Sequence, residues 1–425
     1  MSRENLLAAL RDDAHLWQDF DAICSFVGRQ AGTPGCDAAF AFVADRLAAL
    51  GPVRNAPTRY HGWSRDAVRL TTPDGTEVPC LPLVGSASSA GDVLLDVLDL
   101  ARGTPEQIAA AGDAVRGRAV LLEHEYVFAD DTIHRRVKLG AAVAAGAAAV
   151  VMVQPIPGIG PVSGGASGCS VPGFGVGIEG ARQMIAAGSA RFLLRGQHHV
   201  ATTSNLILEL PGRGPGWVVL SAHLDGHAPG ESAIDNGSGV AGLLALARAA
   251  APLLASAEHG LMVCVFGAEE WSLSGSRAWL GALPEAAKAR MVANVNLDSI
   301  VGSPNLTALT SGFPKLAEEV GLAGAPITVR DALMVNSDHA NFAAHGVPAL
   351  RLIAGFNEPQ SNVSRLLTAA DTRALVSPPE LLQGTECAGA VLWSLLSLPA
   401  AGAAALRHGA QDARPAVAAL APLPV

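Results

Sequence analysis

From Thr202 onward, short runs of consecutive apolar residues alternate with longer segments whose apolar residues recur at helical spacing. Residues 217–222, 261–266 and 292–297 are these runs, broken only by Ser221, Asn294 and Asn296, and residues 237–251, rich in Ala and Leu, form a helix between the first two. A strand made almost wholly of apolar residues is buried on both faces. Such strands alternating with helices predict an α/β fold, a mostly parallel sheet covered by helices on both faces. In sheets of this kind, ligands bind beyond the carboxyl ends of the strands.

Upstream, Phe40, Val43, Leu47 and Leu50 recur at helical spacing within residues 36–50, and Gly51-Pro52 ends that helix. The first segment of the chain also reads as helical, and Gly28-Arg29-Gln30-Ala31-Gly32-Thr33-Pro34-Gly35 reads as loop. Residues 53–80 predict short strands around a turn at Pro73-Asp74-Gly75. The texture changes at Gly85. To about His199, short strands at 93–98, 119–122, 149–153 and 191–194 alternate with Gly- and Pro-rich loops, and no polar residues there form a catalytic set. The pattern predicts one catalytic domain, residues 1–84 and 201–400, interrupted by a β-rich inserted domain at 85–200. Residues 401–425 read as a low-complexity tail, frayed beyond about residue 410. No internal repeat is visible.

Composition narrows the class. Half of the 425 residues are apolar and only 16% are charged, which excludes wholesale disorder. The formal net charge of -9 leaves no basic stripe for phosphates, so no nucleic-acid partner is expected. The longest apolar run, 139–153, falls short of the roughly 18 residues of a membrane span. A small-residue helix entering a buried strand accounts for it, and no membrane partner is expected. The cysteines (Cys24, Cys36, Cys80, Cys169, Cys264 and Cys387) include no CxxC pair, which argues against a thiolate zinc site or a disulfide framework. Met1-Ser2-Arg3-Glu4-Asn5 opens no signal-type apolar stretch, so the expected location is cytoplasmic. The inserted domain would suit a lid or an oligomer contact, and a homo-oligomer is expected.

The candidate chemistry lies where the apolar runs end. Residues 217–222 deliver His223-Leu224-Asp225, residues 261–266 deliver Gly267-Ala268-Glu269-Glu270, and residues 292–297 deliver Asp298. Asp235 opens the helix after the first strand, in Ala233-Ile234-Asp235-Asn236-Gly237-Ser238-Gly239. Singly, each has an ordinary reading: a hydrogen-bonded histidine, a helix cap, a solvated acidic loop. Together they bring carboxylates to one sheet edge, which is costly unless a cation neutralises them. Histidine with carboxylates suits zinc or manganese. His223 is then a ligand and Asp225 the acceptor that orients its imidazole. Asp235 can bridge two ions or bind one, and Asp298 and Glu270 complete the ligand set. Glu269 is left to take a proton from water that the ion activates. His339, in Ser337-Asp338-His339, is a candidate contact to substrate or metal. His198, His199 and His227 have no spacing argument and read as structural.

In order along the chain, these segments resemble the motifs of the co-catalytic zinc aminopeptidases. They are His223-Leu224-Asp225, Ile234 to Gly239, Phe266 to Glu270 with Leu273-Ser274-Gly275-Ser276, Asn296-Leu297-Asp298, and Ser337-Asp338-His339. The loop Gly28 to Gly35 is similar to that family's amino-terminal segment, and the insertion resembles a protease-associated domain. The resemblance implies that His223, Asp235 and Asp298 hold one ion. It implies that Asp235 and Glu270, with a late histidine, hold the other, and that Glu269 is the general base. It also implies a cis peptide after the bridging aspartate, Asp235-Asn236.

One departure matters. The family's last histidine lies in a Tyr-His-Thr-x-x-Asp-Thr segment, and Leu367 stands at its place in Leu366-Leu367-Thr368-Ala369-Ala370-Asp371-Thr372. Leucine cannot bind a metal. Either His339 or His345 substitutes, or only one ion binds tightly. One tightly bound divalent ion per chain, Mn or Zn, is the expectation. A single-ion member of this fold resembles the enzyme that hydrolyses 5-nitroanthranilate to 5-nitrosalicylate and ammonia. The first expectation is therefore an aminohydrolase acting on a small activated aromatic amine carboxylate. The alternatives are an aminopeptidase or small-amide metallopeptidase and, more remotely, a non-catalytic binding relative.

Overall fold

The computed structural model describes residues 2–166 and 168–419. The chain forms two compact units. One contains the chain up to Tyr60, Thr202–Leu366 and the stretch from Asp371; the other contains His61–Ala201 and Leu367–Ala370.

The first unit is built on an eight-stranded sheet. Its strands are β1 (Val53–Asn55), β2 (Leu206–Leu210), β3 (Trp217–His223), β4 (Gly260–Phe266), β5 (Met291–Leu297), β6 (Leu306–Leu309), β7 (Ile327–Arg330) and β8 (Ala349–Ala354). They lie in the order β1-β2-β4-β3-β5-β8-β6-β7. The central strands β4, β3, β5 and β8 are parallel, as are β6 and β7. The β1–β2, β2–β4 and β8–β6 pairings are antiparallel. The sheet is therefore mixed, and its parallel part is where the apolar runs predict it.

Every residue of β4 and β5 is buried, and every residue of β3 after Trp217. Both faces must therefore be covered. The helix Ser238–Ala250, which carries the chain from β3 toward β4, packs with Arg3–Arg11, Leu16–Ser25 and Pro378–Ser397. A second group gathers around His339–Ala344, which packs on β5 and β8 with Ser274–Ala282 and Arg414–Ala418 beside it. Close approach at the start of Ser238–Ala250 requires Gly239: a Cβ there would lie 2.3 Å from Asn236 Oδ1 and 2.4 Å from the Leu297 carbonyl oxygen. The helical stretch Ala233–Ser256 is apolar enough to cross a membrane by composition, but it is largely buried, as a core helix is.

An acid without solvent fastens this helix layer. The Asp19 side chain is fully buried between Arg46 Nε at 2.9 Å and Arg248 Nη1 at 2.7 Å. Removing one partner from a buried pair strands the others. Both arginines keep some solvent contact, which reduces the penalty. Asp19→Asn is expected to lower stability by roughly 2–3 kcal/mol, read as the urea midpoint of metal-free protein. An unchanged midpoint would refute the role of the pair.

The tail is more ordered than expected. Arg414–Ala418 is helical, and Val417 is buried in a cluster with Leu273 and Ala340. Ala413 and Val417, four residues apart, supply a small apolar face that low-complexity composition hides. Residues 420–425 of the expected tail lie outside the described residues.

The second unit also departs from expectation. It opens at His61 and not at 85, because the long strand Thr58–Thr71 joins its sheet beside Ser189–Thr203. The seven strands continue through Val93–Asp99, Ala119–Glu123, Ala149–Gln154, Gly173–Gly177 and Cys80–Pro82. The run from Val93–Asp99 to Gly173–Gly177 is parallel. Parallel neighbours need crossovers, and the helices Pro105–Ala111 and Arg135–Ala144 lie between them in the chain. The unit is therefore α/β. The apolar run 139–153 is, as expected, a helix entering the buried strand Ala149–Gln154. All six cysteines are free.

Candidate metal centre

The carboxyl ends of β3, β4 and β5 bring the expected side chains together. His223 is the last residue of β3, and its Nδ1 donates to the Asp225 carbonyl at 2.9 Å. A carbonyl can only accept, so the neutral ring carries its lone pair on Nε2. That nitrogen faces Asp235 Oδ1 at 3.1 Å and Asp298 Oδ1 at 3.6 Å. The ligand atoms of the three lie within 4.8 Å of one another.

A second triad shares Asp235. Its other members are Glu270 and His227, and their ligand atoms also converge within 4.8 Å. His227 Nε2 lies 2.6 Å from Glu270 Oε1. His227 is the residue that the sequence reading misses, because its segment is irregular and no motif marks it. The available signal is its place: four residues after His223, in the loop that leads to Asp235.

Hydrogen bonds fix these groups. Asp371, buried, accepts from the N–H of Ile234 at 2.8 Å and of Asp235 at 3.2 Å. Asn236 donates to the Leu297 carbonyl at 2.8 Å and accepts from Ser299 N–H at 3.2 Å, tying the Asp235 loop to the end of β5. The Asp235-Asn236 peptide is cis, as the resemblance implies. Asp298 Oδ2 meets Arg351 Nη2 at 3.0 Å and accepts from the Ser337 hydroxyl. Its Oδ1 is thereby turned toward His223.

Two assignments change. The Asp225 carboxylate is not the acceptor for the imidazole, since it lies 3.9 Å from His223 Nδ1 and the backbone carbonyl takes that bond. Its oxygens accept instead from Glu269 N–H at 3.0 Å and Glu270 N–H at 3.2 Å. Asp225 thus shapes the loop that holds the two glutamates. His339 is fully buried but belongs to neither triad, and neither ring nitrogen has a hydrogen-bond partner. Burial and then Arg351 push its pKa down to about 3, so the ring is neutral. His345, the other candidate substitute, lies 3.3 Å from Lys288 Nζ instead.

Charge in the centre is unbalanced without a cation. Burial raises the pKa of Asp235, with Glu270 and Asp298 adding to it. Burial likewise raises Glu269, where Glu270 and Asp298 oppose the lowering by His223. Burial disfavours a charged His223, yet Glu269, Asp235 and Asp298 outweigh it and raise that pKa. Asp298, by contrast, is held below the usual range: burial pushes it up, and Arg351 and His223 overcome that. Imidazole lone pairs facing carboxylate oxygens hold together around a cation, either a proton or a divalent ion. The nitrogen and oxygen donors, with no thiolate, fit zinc or manganese.

Leu367 is buried and clusters with the second unit, where its carbonyl accepts from Ser163 N–H at 2.7 Å. An imidazole is nevertheless present beside Asp235 and Glu270, supplied by His227 from a different segment.

The site sets two groups of metal-binding donors beside the free carboxylate of Glu269, an arrangement that can support metal-dependent hydrolysis. Residues 205–388, which contain every candidate ligand, match the family model of Peptidase family M28. Among curated proteins, the chain is 34% identical over 162 residues to leupeptin-inactivating enzyme 1 of Streptomyces exfoliatus, covering 36% of each chain. It is 28% identical over 237 residues to probable leucine aminopeptidase 2 of Aspergillus fumigatus, 50% of this chain and 47% of that one. The match thus spans less than half the length of either relative. Among solved structures, the zinc aminopeptidase BSAP of Bacillus subtilis superposes with a TM-score of 0.73 at 21% identity, covering 89% of this chain and 94% of that one. A peptidase M28 precursor from Shewanella amazonensis gives 0.75 at 18%, covering 93% and 96%. These likenesses establish a zinc-aminopeptidase-like fold.

Proposed function

We propose that the protein is a metallo-aminopeptidase that releases the amino-terminal residue of a peptide or aminoacyl amide, using two zinc ions. One observation carries the reading: Asp235 is shared by two complete donor triads. His223, Asp235 and Asp298 would hold one ion, and His227, Asp235 and Glu270 would hold the other. Zinc held there would supply a lowered pKa for water and polarisation of the scissile carbonyl.

The remaining work falls to the chain's own groups. Glu269 belongs to neither triad, and its buried carboxylate accepts the water proton and returns it to the leaving amine. Asp225 holds Glu269 and Glu270 by their backbones, and Arg351 and Ser337 hold Asp298. The curated relatives favour this reading over hydrolysis of 5-nitroanthranilate, whose support was the absence of a second imidazole. The second unit serves in this scheme as a protease-associated-like insertion.

Metal analysis and a substrate comparison test the proposal together. Zinc-loaded protein is expected to hold two ions per chain and to cleave aminoacyl-anilides. His227→Ala is expected to hold one ion and to lose most of that activity. One ion in the parent protein, with ammonia released from 5-nitroanthranilate and no aminoacyl-anilide cleaved, would reinstate the aromatic-amine reading.

A further inference from the structure

The segment that presents His227, residues 224–232, contains no helix or strand until it reaches Ala233. Its buried peptide groups must therefore find partners elsewhere. A single side chain supplies three of them. The guanidinium of Arg29, fully buried, donates from Nε to the Leu224 carbonyl at 3.1 Å. It donates from Nη1 to Glu231 at 2.7 Å and from Nη2 to Ser232 at 2.9 Å, again to backbone carbonyls. Nη1 also donates to the Ile23 carbonyl at 3.0 Å, which anchors the group to the helix Leu16–Ser25. The Arg29 carbonyl in turn accepts from Gly226 N–H at 2.9 Å. Three of these acceptors bracket His227: one precedes it and two follow. Inside the closed loop, the His227 N–H donates to Ser232 Oγ at 3.0 Å.

A planar fork with fixed donor directions sets the distance between the points it ties. Arg29 therefore fixes the separation of Leu224 from Glu231 and Ser232, and with it the arch on which His227 stands. The other ligands have supports besides Arg29, although the Asp225 carbonyl that orients His223 lies in the same arch. His223 and Asp298 follow from their strands, Asp235 is held by Asp371, and Glu270 is held by Asp225.

We propose that Arg29 is a positioning residue for His227, and that it sets the affinity of the second triad for its ion far more than that of the first, whose His223 and Asp298 are fixed at the ends of their strands. This rests on the two-ion reading above. Lysine keeps the charge but offers its donors from one nitrogen, so it cannot span the three carbonyls.

Zinc titration of metal-free protein, followed by calorimetry and by metal analysis at fixed free zinc, tests the proposal in Arg29→Lys, Arg29→Met and His227→Ala. In both Arg29 variants one ion is expected to bind close to its parental affinity, while the second binds roughly 10–100-fold more weakly. His227→Ala is expected to bind only the first. Should Arg29→Met fold poorly in the metal-free state, as judged by circular dichroism, Arg29→Lys decides the matter. Two ions bound at parental affinity in Arg29→Lys, with one in His227→Ala, would overturn the role of Arg29 and leave the two-ion reading standing. Equal weakening of both ions would also overturn it, since the arch would then not be selective. Two tight ions in His227→Ala would instead overturn the two-ion reading itself.

Discussion

Glu269→Gln is expected to reduce turnover of an aminoacyl-anilide by about 10²–10⁴-fold, the usual contribution of a positioned base, with the bound zinc unchanged. The substitution is nearly isosteric and keeps the backbone N–H that Asp225 accepts at 3.0 Å. It removes only the capacity to take a proton. Glu269 belongs to neither donor triad, so neither ion loses a ligand. Burial, Glu270 and Asp298 all favour the protonated form of Glu269, and divalent cations bound nearby act in the opposite direction. Metal binding therefore also readies the base, a coupling that glutamine cannot show. The check is kcat, with metal content measured on the same preparation. A variant that loses an ion would mean that Glu269 and Glu270 have exchanged roles.

Much of this site was legible in the chain because apolar runs fix where parallel strands end. Residues 217–222, 261–266 and 292–297 became the cores of β3, β4 and β5, and the acids that follow them lie at one sheet edge. Polar groups fixed by irregular backbone were not legible. His227 lies in a loop with no periodicity, and its place depends on hydrogen bonds from Arg29, some two hundred residues upstream in the chain. Asp371 was visible only as part of a matching segment, yet its carboxylate holds the backbone of Asp235. The spacing of Asp225 from His223 cannot distinguish a side-chain acceptor from the residue's own carbonyl, and the carbonyl takes the bond. The start of the second unit was read too late because Thr58–Thr71 carries a partly exposed pattern that does not reveal which sheet it joins.

Asp235→Ala is expected to have the largest effect on metal content, because Asp235 is the only side chain common to both triads. Its loss leaves His223 with Asp298, and His227 with Glu270, two protein ligands for each ion. Structural and catalytic zinc sites ordinarily use three or four. Both ions should dissociate on dialysis, and activity should fall to that of the metal-free protein. Removal of a ligand confined to one triad predicts a different pattern. His227→Ala should keep the ion held by His223, and Asp298→Ala should keep the ion held by His227 and Glu270. The backbone around residue 235 is held through its N–H by Asp371 and through Asn236 by β5, neither of which involves the Asp235 side chain. Asp235→Ala should therefore fold, and its empty site would report ligand loss and not collapse. Metal analysis beside far-ultraviolet circular dichroism separates the two. If folded Asp235→Ala retained one ion at parental affinity, that ion would not depend on the shared carboxylate, and the centre would have to be two independent sites.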